Sequence, residues 1–266
     1  MILKLKDISL SFTDSRNETL RLLNGLSLDV PKGKVTALVG GNGAGKTTLF
    51  NIISGFQNAD QGAVIFDGKD ISQHSPNRVA RHGIGRLFQG RQLFGDLTLL
   101  ENMKTASDDS TGEFPFSFLW QKKHHQRKER EKEDRAKTIL SNFFGADNKY
   151  EKMLSHPASA FSHGEQRLLG LARLLMGKSS LLLLDEPTSG VNPVYIETIG
   201  QIIKRMVREL GLSVLLIEHN MQFVREIADY CAYLDEGKIR HQGTAHHVLG
   251  TNEVCGSYLG LVSSRT

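Results

Sequence analysis

The distribution of apolar and polar residues predicts strands that differ in how they are buried. A strand is predicted at residues 3–12, in which residues 3–10 alternate between apolar and polar as in a strand with one face against a core. Residues 35–39, 181–184 and 214–217 are short continuous apolar runs, as expected of parallel strands covered on both faces. Two more strands are predicted at residues 84–88 and 231–234.

Helical segments follow several of these strands. Helices are predicted over residues 46–54, 193–210 and 220–228. Two dipeptides that favour tight turns, Asp67-Gly68 and Glu236-Gly237, separate strand-like runs. The alternation of strands and helices predicts an α/β fold with a largely parallel sheet that is covered by helices on both faces.

Between Gln89 and Ser162 this alternation stops. Residues 122–137, KKHHQRKEREKEDRAK, contain many good helix formers and no strand pattern. We interpret the region, roughly residues 90–172, as a helical insertion in the α/β core, with a loop at residues 108–115. The mixed charges favour a solvated helix face over the alternative, a binding patch.

Composition narrows the class of protein. The 266 residues are 39% hydrophobic and 23% charged, which is typical of a globular protein and fits one α/β domain over residues 1–266. The net charge of +4 does not demand a nucleic-acid partner, and a solvated basic surface or a docking face near acidic lipid headgroups explains it at least as well. Cys231 and Cys255 have neither metal-ligand spacing nor a disulfide framework. No apolar run approaches the ~18 residues of a membrane-spanning helix.

A glycine-rich segment joins the apolar run at residues 35–39 to the first predicted helix. Residues 40–48 read GGNGAGKTT, which satisfies the phosphate-loop pattern. In such a loop backbone N–H groups bind phosphates, Lys46 bridges the β- and γ-phosphates, and the Thr47 hydroxyl ligates Mg²⁺. The predicted ATP-binding residues of the loop are Gly40, Asn42, Gly43, Ala44, Gly45, Lys46, Thr47 and Thr48.

The leucine run at residues 181–184 ends in two carboxylates, Asp185 and Glu186. Carboxylates at the C-terminal end of a buried parallel strand lie at the edge of the sheet where ligands bind. We predict that Asp185 holds Mg²⁺ through water and that Glu186, which points the other way, polarises the attacking water. The alternative, that Asp-Glu-Pro only ends the strand and begins a turn, is weakened by the phosphate loop upstream.

Three further side chains are candidates, each with a structural alternative. His219 follows residues 214–217 and can contact the γ-phosphate, although a histidine by itself is more often structural. Gln89 follows residues 84–88 and can reach Mg²⁺ or the water through its amide oxygen, or it is an ordinary strand-end amide. Phe12 can stack on an adenine ring, but an aromatic residue at a strand end is as often part of the core.

A short polar turn precedes the helix that leads into the leucine run. Its residues are Ser162, His163, Gly164 and Glu165. Ser162 is a favourable N-cap residue, and the N-terminus of a helix attracts an anion such as phosphate. The turn is therefore a second candidate for contact with a nucleotide.

Together these segments closely resemble the motifs of the ATP-binding cassette (ABC) ATPase family. Residues 40–48 resemble its Walker A loop, Gln89 its Q-loop, residues 181–185 its Walker B strand, Glu186 its catalytic base, His219 its switch histidine and residues 161–165 its signature motif, usually Leu-Ser-Gly-Gly-Gln. The resemblance covers nearly the whole chain.

The resemblance implies a RecA-like P-loop NTPase core, an antiparallel β subdomain near the N-terminus and a helical subdomain. It also implies a head-to-tail dimer, of the chain with itself or with a sibling ATPase. In that dimer each ATP, with Mg²⁺, lies between one Walker A loop and the partner's signature. The implied partners are membrane permease subunits, with the ATPase peripheral on the cytoplasmic face of the membrane and no nucleic acid bound.

The chain departs from the family pattern at several positions. Phe161 replaces Leu, His163 replaces the first signature Gly, and Glu165 replaces Gln and adds negative charge near the partner's nucleotide. Asn192 stands where many members carry Asp, so it keeps the hydrogen-bonding shape and loses the charge. These changes bear on communication across the dimer, whereas the residues assigned to hydrolysis are intact.

Several local sequences resemble the ATPases of branched-chain amino-acid uptake systems and of their urea and amide relatives. They are residues 83–89 (GIGRLFQ), 189–193 (SGVNP), 218–221 (EHNM) and 257–260 (SYLG). The alternatives are the ATPase of another ABC system such as lipopolysaccharide export, a soluble ABC ATPase acting on chromosomes or ribosomes, and a nucleotide-binding scaffold without turnover. The chain length disfavours the soluble class, and the intact Lys46 disfavours the scaffold.

Overall fold

Two β-sheets and a set of helices make up the fold, which a computed structural model describes for residues 1–13, 18–90, 93–107, 122–144 and 149–259. The strands are β1 (Leu3–Thr13), β2 (Thr19–Val30), β3 (Val35–Val39), β4 (Gln61–Phe66), β5 (Lys69–Asp70), β6 (Ile84–Leu87), β7 (Leu181–Asp185), β8 (Ser213–Ile217), β9 (Tyr230–Asp235) and β10 (Lys238–Thr244). The helices are α1 (Lys46–Ile53), α2 (Pro76–His82), α3 (Leu99–Thr105), α4 (Lys122–Phe144), α5 (Lys149–Lys152), α6 (His163–Leu175), α7 (Pro193–Leu210), α8 (Met221–Ile227), α9 (Ala245–Leu249) and α10 (Asn252–Leu259). The predicted loop at residues 108–115 lies outside the described residues.

The larger sheet has the strand order β10-β9-β3-β8-β7-β6. All neighbouring pairs are parallel except β9 and β10, which pair antiparallel across the Glu236-Gly237 turn. Glu236 and Gly237 both have positive φ, of 46° and 70°, as a two-residue type I′ hairpin requires. The predicted α/β fold with a mostly parallel sheet is confirmed.

The apolar runs are continuous because both faces of this sheet are covered. In β7, Leu182 and Leu184 join a buried cluster with α6, α7 and α8, and Leu181 and Leu183 join a second cluster with α1 and β1. Every residue of β3, β7 and β8 is buried. A strand with one solvent-exposed face would have placed polar side chains at alternate positions.

The smaller sheet is antiparallel, in the order β2-β1-β4-β5. The alternation predicted at residues 3–10 is interrupted at Asp7, which has φ of 49° and whose N–H donates to Ser27 Oγ at 3.0 Å. The register with β2 shifts between Leu5 and Ile8, so the bulge brings the apolar side chains on either side of it back to the core face.

Helices α3 to α6 lie between β6 and β7 in the chain. The predicted helix at residues 122–137 forms the first part of α4, where ion pairs such as Arg127–Glu131 run along the helix surface. The later residues Ile139 and Leu140 are buried against the core. In the described ranges no helix is both long and apolar enough to cross a lipid bilayer.

Candidate active site

The carboxyl ends of four parallel strands carry the predicted chemistry. β3 leads into the glycine-rich loop, β7 ends at Asp185, β8 is followed by Glu218 and His219, and β6 by Phe88 and Gln89. These strands lie side by side in the order β3-β8-β7-β6. Their ends therefore meet at one edge of the sheet, the position at which α/β folds bind ligands.

The glycine-rich loop turns sharply into the N-terminus of α1. Gly43 and Gly45 have φ of 77° and 101°, a conformation that favours glycine. Gly40 lies so close to β9 that a Cβ there would be 2.2 Å from the Leu234 carbonyl oxygen. Since the first N–H groups of a helix have no intrahelical acceptor, those of α1 are available to an anion such as phosphate.

The Lys46 side chain lies across this loop. Its Nζ donates to the carbonyl oxygens of Gly40 and Gly41, each at 2.8 Å, and the residue is only 6% exposed. Burial lowers the pKa of Lys46, and the nearby negative charges of Glu186 and Asp185 oppose that shift. The ammonium group is therefore held between the loop and the carboxylates that follow β7.

The Glu186 carboxylate lies between Gln89 and His219. Gln89 Nε2 donates to Glu186 Oε2 at 3.0 Å, and His219 Nε2 lies 3.3 Å from Glu186 Oε1. Glu186 has φ of 47°, a conformation that costs a non-glycine residue about 1–3 kcal/mol. The structure thus brings the three predicted catalytic side chains together, with a hydrogen bond from Gln89 and a close contact from His219 to the Glu186 carboxylate. The Gln89 nitrogen and not its oxygen faces the carboxylate.

Asp185 is buried beside this group and faces an arginine. It is 1% exposed, and its Oδ2 lies 3.3 Å from Arg86 Nη2. Burial raises the pKa of Asp185, and the positive charge of Arg86 opposes the shift. Asp185 Oδ1 is buried and has no hydrogen-bond partner among the described residues. A buried oxygen of this kind is suited to a metal ion, directly or through water.

A cavity of about 270 Å³ lies between the glycine-rich loop and the side chains of Glu186 and His219. It is lined by Leu22, Asn42, Gly43, Ala44, Gly45, Lys46, Thr47, Thr48, Glu186 and His219. Among the described residues that were predicted to contact nucleotide, Phe12, Gly40 and residues 162–165 do not line it. Phe12 is 46% exposed, and the structure leaves its predicted stacking role untested.

Residues 162–165, the signature turn, begin α6 with a capping box. Glu165 N–H donates to Ser162 Oγ at 3.4 Å, and Ser162 N–H donates to Glu165 Oε2 at 2.9 Å. The other Glu165 oxygen accepts a hydrogen bond from Lys149. The negative charge expected near the partner's nucleotide is therefore paired within the subunit.

The signature turn packs against the segment that follows β7. A Cβ at Gly164 would lie 2.4 Å from Cδ2 of Tyr195, so only glycine fits beneath this ring. His163 Cε1 would lie 3.8 Å from a Cβ at Gly190. The side chain that replaces a signature glycine is thus beside the segment that carries Asn192, and the Asn192 side chain caps α7 by accepting the Val194 N–H.

Comparison with known sequences decides the family of this chain. Residues 23–189, well over half of the chain, match the ABC transporter family.

The chain belongs to the ABC transporter family.

Individual members of the ABC transporter family match over most of their length. A probable branched-chain amino acid transport ATP-binding protein, LivG of Archaeoglobus fulgidus, is 35% identical over 250 residues, which cover 92% of each chain. BraF of Pseudomonas aeruginosa, a high-affinity branched-chain amino acid transport ATP-binding protein, is 32% identical over 241 residues, 91% of this chain and 92% of BraF. The solved ADP conformation of an ATP-binding cassette of an ABC transporter aligns with a TM-score of 0.80 at 31% identity, over 97% of this chain and 98% of that one.

These matches confirm the predicted family and fold. The chain is the ATP-binding subunit of an ABC transporter, an ATPase of the class that hydrolyses ATP to drive transport. Its fold is that of the ABC ATPase cassettes, with a mixed, mostly parallel sheet, an antiparallel sheet and helices.

Sequence analysis of this ABC subunit missed a buried glutamate next to His219. Glu218 is 2% exposed, and its Oε1 accepts hydrogen bonds from the N–H and the hydroxyl of Thr188 at 2.9 and 2.7 Å. Its Oε2 accepts from the His219 N–H at 3.1 Å. The sequence offered one signal for Glu218: it is a charged residue directly after a fully apolar strand. A charged residue at this edge of the sheet needs hydrogen-bond partners.

Two arginines behind the site of this ABC subunit were also missed. Arg86 donates to Asn51 Oδ1 and Ser54 Oγ, each at 2.8 Å, besides contacting Asp185. Arg167, on α6, donates to backbone carbonyl oxygens of Glu186 and of the two residues that flank Gln89. Neither was identifiable from the sequence, because their contacts join segments that are far apart along the chain.

Proposed function

We propose that the chain hydrolyses ATP in the cavity at the sheet edge and uses the energy to drive uptake through a membrane permease. The observation that carries this proposal is the meeting of Glu186, Gln89 and His219 beside the phosphate loop, where Gln89 donates to the Glu186 carboxylate and His219 Nε2 lies 3.3 Å from it. Nucleotide binding alone would need the loop, whereas hydrolysis also needs a base oriented toward the γ-phosphate.

The loop residues 42–48 bind the phosphates in this proposal. The N–H groups at the start of α1 donate to phosphate oxygens, and Lys46 exchanges the carbonyl groups of Gly40 and Gly41 for the β- and γ-phosphates. Because the ammonium group is already buried and ordered, little side-chain entropy is lost on binding. Phe12 is the proposed stacking residue for the adenine ring.

Thr47 and Asp185 would hold Mg²⁺, with Gln89 as a further ligand. The unpartnered Oδ1 of Asp185 and the Thr47 hydroxyl in the cavity are hard oxygen donors, which Mg²⁺ prefers. When bound, the ion neutralises charge that develops on the phosphate oxygens. Arg86 orients Asp185 from behind, so that one carboxylate oxygen stays directed away from the arginine.

Glu186 is the proposed general base, and His219 and Gln89 position it. Gln89 donates a hydrogen bond to one carboxylate oxygen of Glu186, and His219 Nε2 lies 3.3 Å from the other, so the two side chains limit the movement of the carboxylate. His219 is held in turn through its backbone N–H by Glu218. Positioning and charge neutralisation supply most of the rate enhancement in phosphoryl transfer, and this arrangement provides both.

We further propose that the site is completed by the signature turn of a second ATPase, either another copy of this chain or a sibling. The signature residues Ser162, His163, Gly164 and Glu165 do not line the chain's own cavity, whereas the capped N-terminus of α6 is suited to an anion. In the dimer the Ser162 hydroxyl donates to the partner's γ-phosphate, so ATP holds the two subunits together until it is hydrolysed.

The permease is proposed to dock beside Gln89. A groove of about 370 Å³ lies between the core and the helical insertion, and its lining includes Arg81, Phe88, Arg173 and Leu174. Phe56, 58% exposed, packs edge-on against Phe88 at 5.4 Å between ring centroids, which gives the groove an apolar rim. A helix of the permease on the cytoplasmic side fits this position, and its movement would reach Gln89 through Phe88.

Glu186→Gln tests the proposed mechanism. Loss of the base should lower steady-state ATP turnover about 10²-fold or more, because general-base catalysis contributes about 10²–10⁴-fold. ATP binding should persist, because the phosphate loop is unchanged. Glu197→Gln, an exposed change on α7, is the matched control. Turnover near that of the wild type in Glu186→Gln would show that the assigned mechanism is wrong.

We propose branched-chain amino acids as the imported substrates, with urea and small amides as the related alternative. The support is the likeness to LivG and BraF over more than nine-tenths of the chain. The test is uptake of labelled leucine and labelled urea in a host that lacks the gene, complemented with wild type or Glu186→Gln. Loss of leucine uptake, restored only by wild type, is expected. Loss of urea uptake alone would assign the amide branch, and normal uptake of both would contradict the import proposal.

A further inference from the structure

One buried arginine binds both loops that carry the catalytic residues. Arg167 is 4% exposed, and its guanidinium donates to four backbone carbonyl oxygens. The Nη1 group reaches the oxygens of Phe88 at 3.4 Å and Gly90 at 3.2 Å, on either side of Gln89. The Nη2 group donates to the Glu186 oxygen at 2.6 Å, and Nε donates to the Pro187 oxygen at 3.2 Å.

These contacts determine how the two loops lie relative to each other. The Gln89 side chain donates to the Glu186 carboxylate at 3.0 Å, and Arg167 fixes the main chain of both residues from the opposite side. Glu186 is also in the strained left-handed region at φ of 47°, which needs support from its surroundings. Arg167 supplies part of that support by binding the Glu186 carbonyl group.

The burial of this arginine is balanced by nearby acids. Burial lowers the pKa of Arg167, and the negative charges of Glu218, Asp185 and Glu186 oppose the shift. A planar fork of N–H donors is suited to several acceptors at once, whereas the compact ammonium of lysine is not. A positive charge at this position is therefore not sufficient, because the four carbonyl oxygens require the shape of a guanidinium group.

Arg167 lies on the same helix as the signature turn. It follows Glu165 by two residues on α6, whose N-terminus is fixed by the capping box with Ser162. A helix of this kind moves as a unit, so a shift of its N-terminus on the partner's nucleotide also moves the guanidinium. The contacts thus connect the proposed partner ATP with the subunit's own catalytic loops.

We propose that Arg167 is a positioning residue that sets Gln89 and Glu186 for hydrolysis and couples their placement to the signature turn. The proposal rests on the ATPase function proposed above and deepens it by adding a residue behind the catalytic group. Arg167 lines neither the nucleotide cavity nor the docking groove, so it acts only through the two loops.

The test measures ATP turnover and ATP binding of Arg167→Met and Arg167→Lys in the full chain. We expect kcat to fall roughly 10- to 100-fold in Arg167→Met, as for a misplaced catalytic group. The KM for ATP should stay within about twofold, because the phosphate loop is not touched. Arg167→Lys should recover only part of kcat, since lysine reaches fewer of the four carbonyl groups.

Arg135→Met is the matched control. Arg135 Nη2 also donates to backbone oxygens of the α6 region, those of Leu175 and Gly177 at 3.0 and 3.1 Å, but at the other end of the helix. It should keep kcat within about twofold of wild type. An equal loss of kcat in Arg135→Met and Arg167→Met would show a general effect on α6 and overturn the proposal.

A double-mutant cycle with Gln89→Ala separates positioning from stability. If Arg167 acts through Gln89 and Glu186, the losses in kcat of Arg167→Met and Gln89→Ala are less than multiplicative. Multiplicative losses, or a kcat loss that equals the loss in folded fraction by circular dichroism, overturn the proposal. If Arg167→Met does not fold, the folded Arg167→Lys decides the matter, since full activity there contradicts the proposal.

Glu186→Gln in the same assay distinguishes the two levels of inference. If Glu186→Gln retains ATP turnover near that of the wild type, both the proposed function and the role of Arg167 are wrong. An inactive Glu186→Gln together with a fully active Arg167→Met overturns the role of Arg167 alone.

Discussion

At the residue scale, the effect of the signature glutamate, Glu165, depends on its neighbour Lys149. Glu165 replaces the usual glutamine and adds a negative charge at the signature turn, and its carboxylate accepts hydrogen bonds from Ser162 and Lys149. Burial raises the pKa of Glu165, but the hydrogen bonds from Lys149 and Ser162 together outweigh it and lower the pKa, which favours the ionised, paired carboxylate. The effective charge at the signature turn is therefore close to that of the glutamine form.

The Lys149→Met substitution should leave the negative charge of Glu165 without its lysine partner. In a Glu186→Gln background we expect ATP-driven dimerisation to weaken about 2- to 5-fold, because a half-exposed ion pair contributes up to about 1 kcal/mol. The measurement is the ATP concentration that gives half-maximal dimer by light scattering.

Glu165→Gln combined with Lys149→Met serves as the control, and it should restore the wild-type value because no unpaired charge remains. An unchanged dimerisation in Lys149→Met, or a defect that Glu165→Gln does not repair, would contradict the pairing.

Cys231 illustrates the effect of burial on a single ionisable group. It lies in β9 with 1% exposure, and burial raises the pKa of its thiol to about 12. Because the thiolate is the reactive form, we expect no alkylation of Cys231 by N-ethylmaleimide at pH 8 in the folded protein, and rapid alkylation in urea. Peptide mass mapping measures both, and prompt labelling without urea would show that β9 opens readily.

At the scale of elements, the sequence predicted a helix or turn correctly where adjacent residues encode its cap or its turn. The Asp67-Gly68 turn joins β4 to β5 with φ of 45° and 80°, as the dipeptide predicts. Helix α7 has the predicted bounds, with Asn192 as N-cap, Pro193 at its first turn and Gly211 at its C-terminal cap.

Other elements were missed or had weaker signals. β2 (Thr19–Val30) was not predicted, because its apolar residues do not keep a period of two and its place is decided by pairing with β1. Helix α3 was also not predicted, although Thr98 and Glu101 form a capping box that the sequence pattern could have revealed.

Gly40→Ala tests the close approach of the phosphate loop to β9. The added Cβ would lie 2.2 Å from a backbone oxygen that cannot rotate away, so we expect destabilisation of about 1–3 kcal/mol and weaker ATP binding. Thermal unfolding measures the first effect and nucleotide titration the second. Gly41→Ala is the matched control, since a Cβ there meets nothing within 4 Å. Equal melting temperatures for the two variants would contradict the packing argument.

At the scale of the whole molecule, the cavity holds only half of the residues assigned to ATP. The phosphate loop, Glu186 and His219 line it, whereas the signature turn lies elsewhere on the described surface. The composite site proposed above reconciles this separation with the motifs, and in that proposal association depends on nucleotide.

The Glu186→Gln variant should therefore form a dimer, and so double its mass in solution, when Mg-ATP is added. We expect light scattering after gel filtration to show about twice the 29.6 kDa of the chain with Mg-ATP and the monomer without it. The control is Ser162→Arg in the same background, which should block the doubling and keep ATP binding, because only the partner's site is obstructed. A monomer that binds ATP tightly would direct the search to a sibling ATPase.

The sequence alone determined the fold class, the phosphate loop, both carboxylates after β7 and the order of the family motifs. These features are encoded by neighbouring residues: apolar runs that require burial, glycines that permit a loop, and a helix that starts at Lys46. Family resemblance supplied the roles of Gln89 and His219, and the parallel order of β3, β8, β7 and β6 explains why they meet.

Only the tertiary structure decided what surrounds those residues. The pairing of Glu165 with Lys149, the support of His219 by Glu218 and the binding of both catalytic loops by Arg167 join residues that are distant or unpatterned in the chain. The physical reason is that a buried charge must find acceptors or donors wherever the fold places them. Those partners follow from three-dimensional proximity, which periodicity and spacing do not encode.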